Sequence, residues 1–476
     1  MNIVLIVSDT FRYDNLTCAG NTWIKTPALD ALAAESAVFH QAHVSSFPTI
    51  PHRTDMILGT FGFPFYGWQP LLPGAKTMAQ YLQEAGYVTQ LIADCPHLMK
   101  HDFNLSRGFH GYYWNRGQEG DIAFTRMNYP IPQRMSLDKT RVHPLNFGEP
   151  LVNLSAWINR EWRWEEDYFP ASTARLACKW LEENYKAEKF FLWVDFFDPH
   201  EPWDPPQYLV DHYDPDYDGP PMLHPNYGPA DIYTKRELQN MRAHYAAEVT
   251  LVDKWIGHLL RKIDDLGITD KTIVCFTSDH GMYIGEHNRT GKSNICEYDD
   301  RGPWPLYDEI TRIPLMFRVP GMNGGRSFQQ IIQPPDIMPT LFELAGVEIP
   351  EGLHGVSAAP LIRGEKVRWP RRYAFCSTAL QPPGKENPWT TVRDRNWALL
   401  IGGKESDPPE LYDLRSDPKQ QKNVIKKYPE QAQKMQRALV KFLREVGCDE
   451  EKIASVSGEI VPRSRRRLPR RAPDYD

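Results

Sequence analysis

The chain has 476 residues, of which 41% are hydrophobic and 24% are charged, and its formal net charge is -6. This composition is typical of a water-soluble globular protein. The chain is too long to fold around a single hydrophobic core, so we expect a large domain and a smaller one. The acidic balance argues against a nucleic-acid polymer as partner.

The N-terminal segment 1–7 predicts neither export nor a membrane anchor. It has no basic region before its apolar run, and that run is too short for a signal peptide or a bilayer span. The seven cysteines are scattered and form no CxxC pair, which is typical of a reducing compartment. We therefore expect a cytoplasmic protein with no membrane partner.

The hydrophobic pattern alternates between strands and helices over most of the chain. Continuous apolar runs predict strands covered on both faces, and segments with a helical period lie between them. This alternation predicts an α/β fold with a mostly parallel sheet and helices on both faces. In chain order, the predicted strands are 2–7, 37–42, 88–93, 189–196, 272–277 and 313–319, and the predicted helices are 26–35, 77–85, 173–184, 245–263 and 336–345.

Two long segments between these elements lack periodicity and are rich in aromatic residues. The first runs from about residue 109 to 170 and contains Trp114, and the second, roughly 204–232, follows Trp203. Long irregular insertions in a compact enzyme often form binding loops or lids, so Trp114 and Trp203 are candidates for substrate contact. Aromatic side chains that only fasten a loop to the core would produce the same pattern.

After about residue 366 the pattern changes. Short runs at 373–377, 397–401 and 410–414 predict antiparallel strands, and 429–446 predicts an amphipathic helix. We therefore predict a large domain at 1–365 and a small α+β subdomain at 366–450. Residues 451–476 include six arginines between Arg463 and Arg471 and no core pattern, so we expect a disordered basic tail.

The segment 46–55 predicts a tight turn followed by a short helix. Pro51 suits a first helical position and Gly59 the position just past the helix end, so Thr49 should lie close to the helix N-terminus. Free backbone N–H groups favour an anion there, and Arg53 follows one helical turn later. This combination suits attack on a tetrahedral oxyanion ester, although a capping threonine and a surface arginine would give the same sequence.

Three of the predicted strands end in side chains that suit metal binding or acid–base chemistry. They are followed by Asp9, by Asp198 with His200, and by Asp279 with His280. Ligands of a parallel sheet bind beyond the carboxyl ends of its strands, so these groups should converge. Asp9, Asp279 and His280 supply two carboxylates and an imidazole, a set that suits Mn, Zn or Ca. A strand-end aspartate can also cap a helix, but the agreement of three strand ends favours a site.

Several short motifs follow one another in order along the chain. They are Thr-Ile-Pro-His-Arg at 49–53, Asp-Pro-His-Glu-Pro at 198–202, Thr-Ser-Asp-His-Gly at 277–281, Gly-Glu-His at 285–287, Gly-Lys at 291–292 and Asp-Ile-Met-Pro-Thr at 336–340. Together with Asp9, they resemble the sulfatase family of the alkaline phosphatase superfamily, nearest to its phosphonate monoester hydrolase and phosphodiesterase members. The resemblance extends from residue 1 to about 445. It implies an alkaline-phosphatase-like fold and a metal-dependent hydrolase acting on small-molecule esters.

The resemblance also implies roles for individual residues: metal ligands, a nucleophile, a group that steadies the nucleophile, and groups that contact the ester oxygens or assist the leaving group. These are Asp9, Asp279 and His280 as ligands of one divalent metal ion, Thr49 as nucleophile, Arg53 as the steadying group, and Lys292 and His200 at the ester oxygens or the leaving group. Independently of the resemblance, the Thr49 hydroxyl is a candidate to complete the ligand shell of the metal ion.

His287 is a further candidate for substrate contact in the same pocket. A second metal ion held by Asp198, His200 and His287 is a less favoured alternative.

Thr49 departs from the sulfatase pattern. Sulfatases mature a cysteine or serine at this position to formylglycine, and threonine cannot form that aldehyde because its β-carbon carries a methyl group. A threonine alkoxide can attack phosphorus and leave a phosphoryl group that water removes, so we predict cleavage of phosphodiesters or phosphonate monoesters. The alternatives are a sulfuric ester hydrolase and a catalytically silent binding protein on the same scaffold.

Two further expectations follow from the resemblance. Many sulfatases carry two adjacent acids near the N-terminus, whereas Asp9 is followed here by Thr10, as in the phosphonate hydrolase branch. Relatives in this branch often form dimers or tetramers, so a homo-oligomer is an expectation that the sequence leaves open.

Overall fold

The computed structural model describes residues 1–100, 102–122, 135, 138–140, 150–294, 302–403 and 407–460. The strands are β1 (Asn2–Ser8), β2 (Ala37–Ala42), β3 (Val88–Ala93), β4 (Gly111–Trp114), β5 (Phe190–Phe196), β6 (Thr272–Ser278), β7 (Tyr283–Ile284), β8 (Thr290–Gly291), β9 (Ser293–Asn294), β10 (Gly302–Pro303), β11 (Leu315–Arg318), β12 (Arg326–Ile332), β13 (Ala374–Cys376), β14 (Thr390–Arg393), β15 (Trp397–Ile401) and β16 (Glu410–Asp413). The α-helices are α1 (Pro27–Ala34), α2 (Thr49–Leu58), α3 (Met78–Glu84), α4 (Leu151–Ile158), α5 (Phe169–Asn184), α6 (Gln207–Asp211), α7 (Lys235–Asp265), α8 (Asp308–Thr311), α9 (Ile337–Ala345), α10 (Ala359–Arg363), α11 (Pro429–Glu445) and α12 (Glu450–Val456).

An eight-stranded sheet in the order β12-β2-β11-β6-β1-β5-β3-β4 forms the centre of the fold. β1 pairs in parallel with β5 and β6, whereas β11 runs antiparallel to both of its neighbours. Every residue of β1, β5 and β6 is buried, which explains their continuous apolar runs, since a strand covered on both faces needs no polar side. The predicted α/β class and mostly parallel sheet are confirmed.

The helices next to this sheet form two packed groups. α1, α5 and α6 contact α7, while α3 and α9 contact α2. α7 begins at a capping box in which Thr234 and Glu237 bond each other's backbone N–H groups. α2 ends at Gly59, whose left-handed φ of 67° is the backbone that glycine adopts without strain. No helix among the described residues is long and apolar enough to cross a bilayer.

Strands β4 and β12 are absent from the sequence prediction, and both lie at the edges of the sheet. In β4, Tyr112 and Tyr113 are 61% and 51% exposed. The first residues of β12 are also exposed or half-buried. An edge strand is only partly covered and therefore lacks the continuous apolar run that marks a buried strand. The segment 109–170, predicted to be irregular, therefore contributes β4 and also α4 to the described structure.

A second sheet, β13-β14-β15-β16, is antiparallel and packs with α11 and α12 in the C-terminal part of the chain. Its apolar cluster joins this part to the loop after α2. The ring of Phe442 stacks on Phe375 with centroids 4.3 Å apart and meets Phe61 edge to face at 4.8 Å. Ser377, which follows β13, bridges Ser46 just before α2. The C-terminal sheet is therefore fastened directly to the segment that leads into α2.

The described C-terminal structure continues beyond the predicted subdomain end at residue 450. α12 begins at Glu450, and Ile453 and Val456 are buried in the C-terminal apolar cluster. Residues 461–476, which make up most of the predicted basic tail, lie outside the described residues.

We expect Phe442→Ala to weaken the attachment of the C-terminal part. Removal of a ring that contacts three other phenylalanines should lower the free energy of unfolding by about 3 kcal/mol. Chemical denaturation followed by tryptophan fluorescence measures this change. The matched control is Lys441→Ala on the same helix, because its side chain is 77% exposed and its loss should cost less than about 0.5 kcal/mol. Equal denaturation midpoints for the two variants would contradict this role of Phe442.

Candidate active site

The carboxyl ends of β1, β5 and β6 lie side by side at one edge of the central sheet. Ser8, the last residue of β1, pairs with the last residues of both neighbouring strands, so the three strands end at the same level. Asp9 therefore emerges beside the loop that carries Asp279 and His280. This is where a parallel sheet binds its ligands.

Asp9, Asp279 and His280 form a buried group that we call the ligand cluster. Each residue is 0% exposed, and their ligand atoms all lie within 4.8 Å of one another. Oδ2 of Asp9 accepts no hydrogen bond and has Nη1 of Arg53 as an ionic neighbour at 3.2 Å, so this buried oxygen still has a lone pair that a cation could use. Two carboxylates and an imidazole suit Mn, Zn or Ca. The residues present therefore fit the divalent metal ion that the resemblance implies.

The ligand cluster is strongly coupled because its charges are shielded from water. Burial and the Asp279 carboxylate raise the pKa of Asp9 well above its usual value. Burial acts on Asp279 in the same direction, but His280 and Arg53 outweigh it and lower the pKa of Asp279. Burial lowers the pKa of His280 to about 4. The imidazole is therefore neutral near pH 7, which is the form that binds a metal ion.

Thr49 is the first residue of α2, and its hydroxyl faces the ligand cluster. Oγ1 lies 3.3 Å from Nε2 of His280. Pro48 precedes the helix without forming a side-chain cap, so the N-terminus of α2 is suited to an anion. The structure thus brings a hydroxyl, a helix N-terminus and the ligand cluster together.

Arg53 is fully buried under Thr49 and is held mainly by carboxylates. Nε and Nη2 each donate to Asp195 at 2.8 Å, and Nη1 donates to Asp279 at 2.6 Å. Nη1 also donates to the backbone oxygen of Thr49 at 3.2 Å and lies 3.2 Å from Oδ2 of Asp9. The predicted contact with the nucleophile therefore runs through the backbone of Thr49, and the guanidinium mainly balances the charge of the carboxylates.

Asp195 was missed by the sequence analysis. It is 0% exposed and is the one charged residue of β5, whose other side chains are apolar. Burial raises its pKa, and Arg53 partly offsets that effect. A carboxylate inside a strand covered on both faces must have a cationic partner. A charged residue within an otherwise apolar strand was therefore the feature of the sequence that could have identified Asp195. It indicates a buried cationic partner but does not indicate which residue that partner is.

Lys292 approaches the ligand cluster through Thr10. Its Nζ lies 3.3 Å from Oγ1 of Thr10, which in turn donates to Oδ1 of Asp9 at 2.8 Å. Thr10 has a φ of 59°, and a β-branched residue in the left-handed region is strained. Its backbone N–H donates to Asp279 at 2.9 Å. Thr10 thus fixes two metal-ligand candidates and the lysine at once.

His200 lies in the same region and is buried. Nδ1 is 2.8 Å from the backbone oxygen of Glu201, and the ring stacks on Phe197 with centroids 4.0 Å apart. Burial and the charge of Lys292 lower the pKa of His200 well below its usual value. The ring is therefore neutral near pH 7 without a ligand, with Nδ1–H donating to the Glu201 carbonyl and Nε2 left as an acceptor.

The two predicted substrate-binding tryptophans have different surroundings. Trp203 is 0% exposed, and its indole N–H donates to the Pro199 oxygen at 2.9 Å. A substrate cannot reach it without rearrangement, so the structure makes it a core residue. Trp114 is partly exposed at the end of β4, with the guanidinium of Arg116 4.1 Å from the centre of its ring. Trp114 remains available for contact.

His287 and Asp198 have partners outside the ligand cluster. His287 stacks on Tyr307 with ring centroids 3.8 Å apart, and Oδ2 of Asp198 accepts a hydrogen bond from Gln118 at 2.9 Å. Within the described residues, the ligand cluster is the one group of three metal-ligating side chains this close together. The alternative of a second metal ion on Asp198, His200 and His287 is therefore not supported.

Comparison with known structures agrees with the fold. The phosphonate monoester hydrolase of Agrobacterium radiobacter superposes with a TM-score of 0.73 at 22% identity, over 94% of this chain and 96% of that chain. A structure of BT4656 in complex with its substrate D-glucosamine-2-N,6-O-disulfate gives a TM-score of 0.71 at 20% identity, over 95% and 99% of the two chains. At these identities the likeness concerns the fold alone.

Comparison of the sequence with known proteins and family models identifies the family of the chain. The chain is 28% identical to an arylsulfatase of Clostridium perfringens (strain 13 / Type A), over 93% of this chain and 94% of the relative. A family model described as N-sulphoglucosamine sulphohydrolase, C-terminal, matches residues 297–448. The model described as Sulfatase matches residues 1–347. The resemblance found in the motifs is thus confirmed, and the chain belongs to the sulfatase family.

Proposed function

We propose that this sulfatase-family chain is a metal-dependent hydrolase that cleaves a tetrahedral oxyanion ester of a small molecule, with Thr49 as nucleophile. One observation carries the proposal: the Thr49 hydroxyl is 3.3 Å from Nε2 of His280, at a helix N-terminus and beside a buried cluster of metal-type ligands. A silent binding protein would have no need of this arrangement together with Arg53 and Lys292.

The ligand cluster would hold one divalent cation, and Oδ2 of Asp9, which accepts no hydrogen bond, supports that assignment. When bound, the cation supplies positive charge that polarises the ester and favours ionisation of a nearby hydroxyl. Mn, Zn and Ca all suit the donor set.

The chain's own residues account for the bond changes. The Thr49 hydroxyl gives its proton to a solvent water molecule, Oγ1 attacks the sulfur or phosphorus atom, and the bond to the leaving oxygen breaks. The leaving oxygen needs a proton, and Lys292, as an ammonium, carries one in the resting protein. His200 is neutral at rest and donates only after it has been protonated. Water then cleaves the threonine ester and restores the hydroxyl.

Sulfuric esters are the first candidate substrates, because the relative with near-complete coverage is named an arylsulfatase. With a threonine nucleophile the intermediate would be a sulfated threonine, since the formylglycine route is closed to this side chain. Water would have to attack sulfur to release the product.

Phosphodiesters and phosphonate monoesters are the second candidates. Thr49 favours them, because a phosphorylated threonine is cleaved by water at phosphorus without any carbonyl chemistry. The fold shared with a phosphonate monoester hydrolase is compatible with this choice but does not decide it.

We expect Thr49→Ala to lower kcat at least about 10³-fold on the ester that the wild type cleaves best, because the attacking oxygen is removed. Steady-state turnover of an aryl sulfate, an aryl phosphodiester and an aryl phosphonate monoester by the metal-loaded protein tests this and ranks the two candidate classes. The control is Thr49→Ser, which keeps the hydroxyl and should stay within about tenfold of the wild type. Mass spectrometry must show that this serine is unmodified. Undiminished turnover by Thr49→Ala would exclude Thr49 as nucleophile.

We expect Asp279→Asn to abolish stoichiometric metal binding, because an amide is a weaker ligand than a carboxylate and leaves Arg53 under-compensated. Elemental analysis of dialysed protein should give about one divalent ion for the wild type and almost none for the variant. The control is Asp253→Asn, which alters a buried carboxylate that accepts from Ala28 and Leu29 at the start of α1. Equal metal content in all three proteins would refute the ligand cluster.

A further inference from the structure

Glu201 is a buried carboxylate to which the proposed mechanism gives no role. It is 0% exposed, yet its Oε2 makes no hydrogen bond with the described residues. This oxygen lies 3.4 Å from Nδ1 of His200 and 3.9 Å from Nζ of Lys292. One carboxylate therefore stands beside both groups at the leaving-group side, and an unsatisfied buried oxygen there needs a physical reason.

Tyr227 fixes the other oxygen of this carboxylate. Its phenol O–H donates to Oε1 of Glu201, and its ring is 4% exposed. The backbone of Tyr227 has a φ of 60°, a left-handed conformation that is strained for a bulky residue. The surrounding structure holds this strain so that the phenol meets the carboxylate.

The ring of Tyr227 packs against Gly291, the residue that precedes Lys292. A Cβ at Gly291 would lie 2.5 Å from the ring of Tyr227, so the ring occupies the space that a side chain would need. Lys292 is the next residue, and its Nζ meets Thr10 on the other side at 3.3 Å. A continuous line of contacts thus runs from Tyr227 through Glu201 and Lys292 to Thr10 beside the ligand cluster.

We propose that Glu201, clamped by Tyr227, is the positioning residue of the leaving-group side: its carboxylate holds the ammonium of Lys292 and the imidazole of His200 in place and balances the charge of the ammonium. Glu201 touches neither substrate nor reacting atoms and acts through these two residues. The inference deepens the proposed function and rests on it for the role of the leaving oxygen.

The geometry explains why a carboxylate is needed and not an amide. Lys292 lies close to the Thr10–Asp9 pair, and it would be drawn toward the ligand cluster if no second anion held it back. A fixed carboxylate 3.9 Å away gives the ammonium a second anchor and favours the protonated form of the imidazole when negative charge develops on the leaving oxygen. An amide would fill the same volume without either effect.

The first test is the dependence of rate on the leaving group. For Glu201→Gln, we expect kcat/KM to fall at least about 100-fold for an ester of an alkyl alcohol and less than about tenfold for a nitrophenyl ester, whose leaving oxygen needs little protonation. Tyr227→Phe should change the ratio of kcat/KM for the nitrophenyl ester to kcat/KM for the alkyl ester in the same direction, by a smaller factor. The control Asp253→Asn should leave the ratio unchanged. Equal losses on both esters, or no loss, would overturn the proposal.

The second test needs no substrate. Lys292→Met should lower the melting temperature by leaving the buried Glu201 carboxylate without its cation, and adding Glu201→Gln should restore part of that loss. Simple addition of the two single shifts would overturn the pairing. If the wild type cleaves none of the esters while the double variant regains stability, the proposed function fails and the Glu201–Lys292 pairing stands, so the two failures are distinguishable.

Discussion

The bidentate pair of Arg53 and Asp195 is the interaction on which the rest of the site depends. The two side chains are 0% exposed and joined by two hydrogen bonds of 2.8 Å. The same guanidinium reaches Asp279 and the backbone of Thr49. It thereby ties α2, which carries the proposed nucleophile Thr49, to β5 and to the loop after β6. Removal of either partner would leave an uncompensated charge in a dry interior, which costs more than the pair itself gains.

The ligand cluster is assembled with an excess of negative charge that a bound cation would relieve. Asp9, Asp195 and Asp279 surround a single guanidinium, and the pKa of Asp9 is raised by burial and by its neighbour Asp279. Such an arrangement favours a divalent ion over water, because the ion both neutralises charge and satisfies the open lone pair on Asp9. Selectivity for the metal would then follow from the one imidazole in the set.

Much of this architecture could be predicted from the pattern of residues, and the gaps have physical reasons. The buried strands and the convergence of Asp9, Asp279 and His280 follow from apolar runs and from the geometry of a parallel sheet. Arg53 was predicted at the site, but its buried partner Asp195 was not, because pairing across 142 positions leaves no local pattern. Trp203 was predicted as a binding residue and is a core residue, because an aromatic side chain looks the same in sequence whether it contacts a ligand or the protein interior.

The bridge between Ser377 and Ser46 has a mechanical consequence. It ties the antiparallel C-terminal sheet to the residues that lead into α2, and the phenylalanine stack holds the loop that leaves the same helix. Both flanks of α2 are thus anchored in a part of the chain that supplies none of the proposed catalytic side chains. We therefore expect the C-terminal sheet, as well as the central sheet, to restrain the position of Thr49 relative to the ligand cluster.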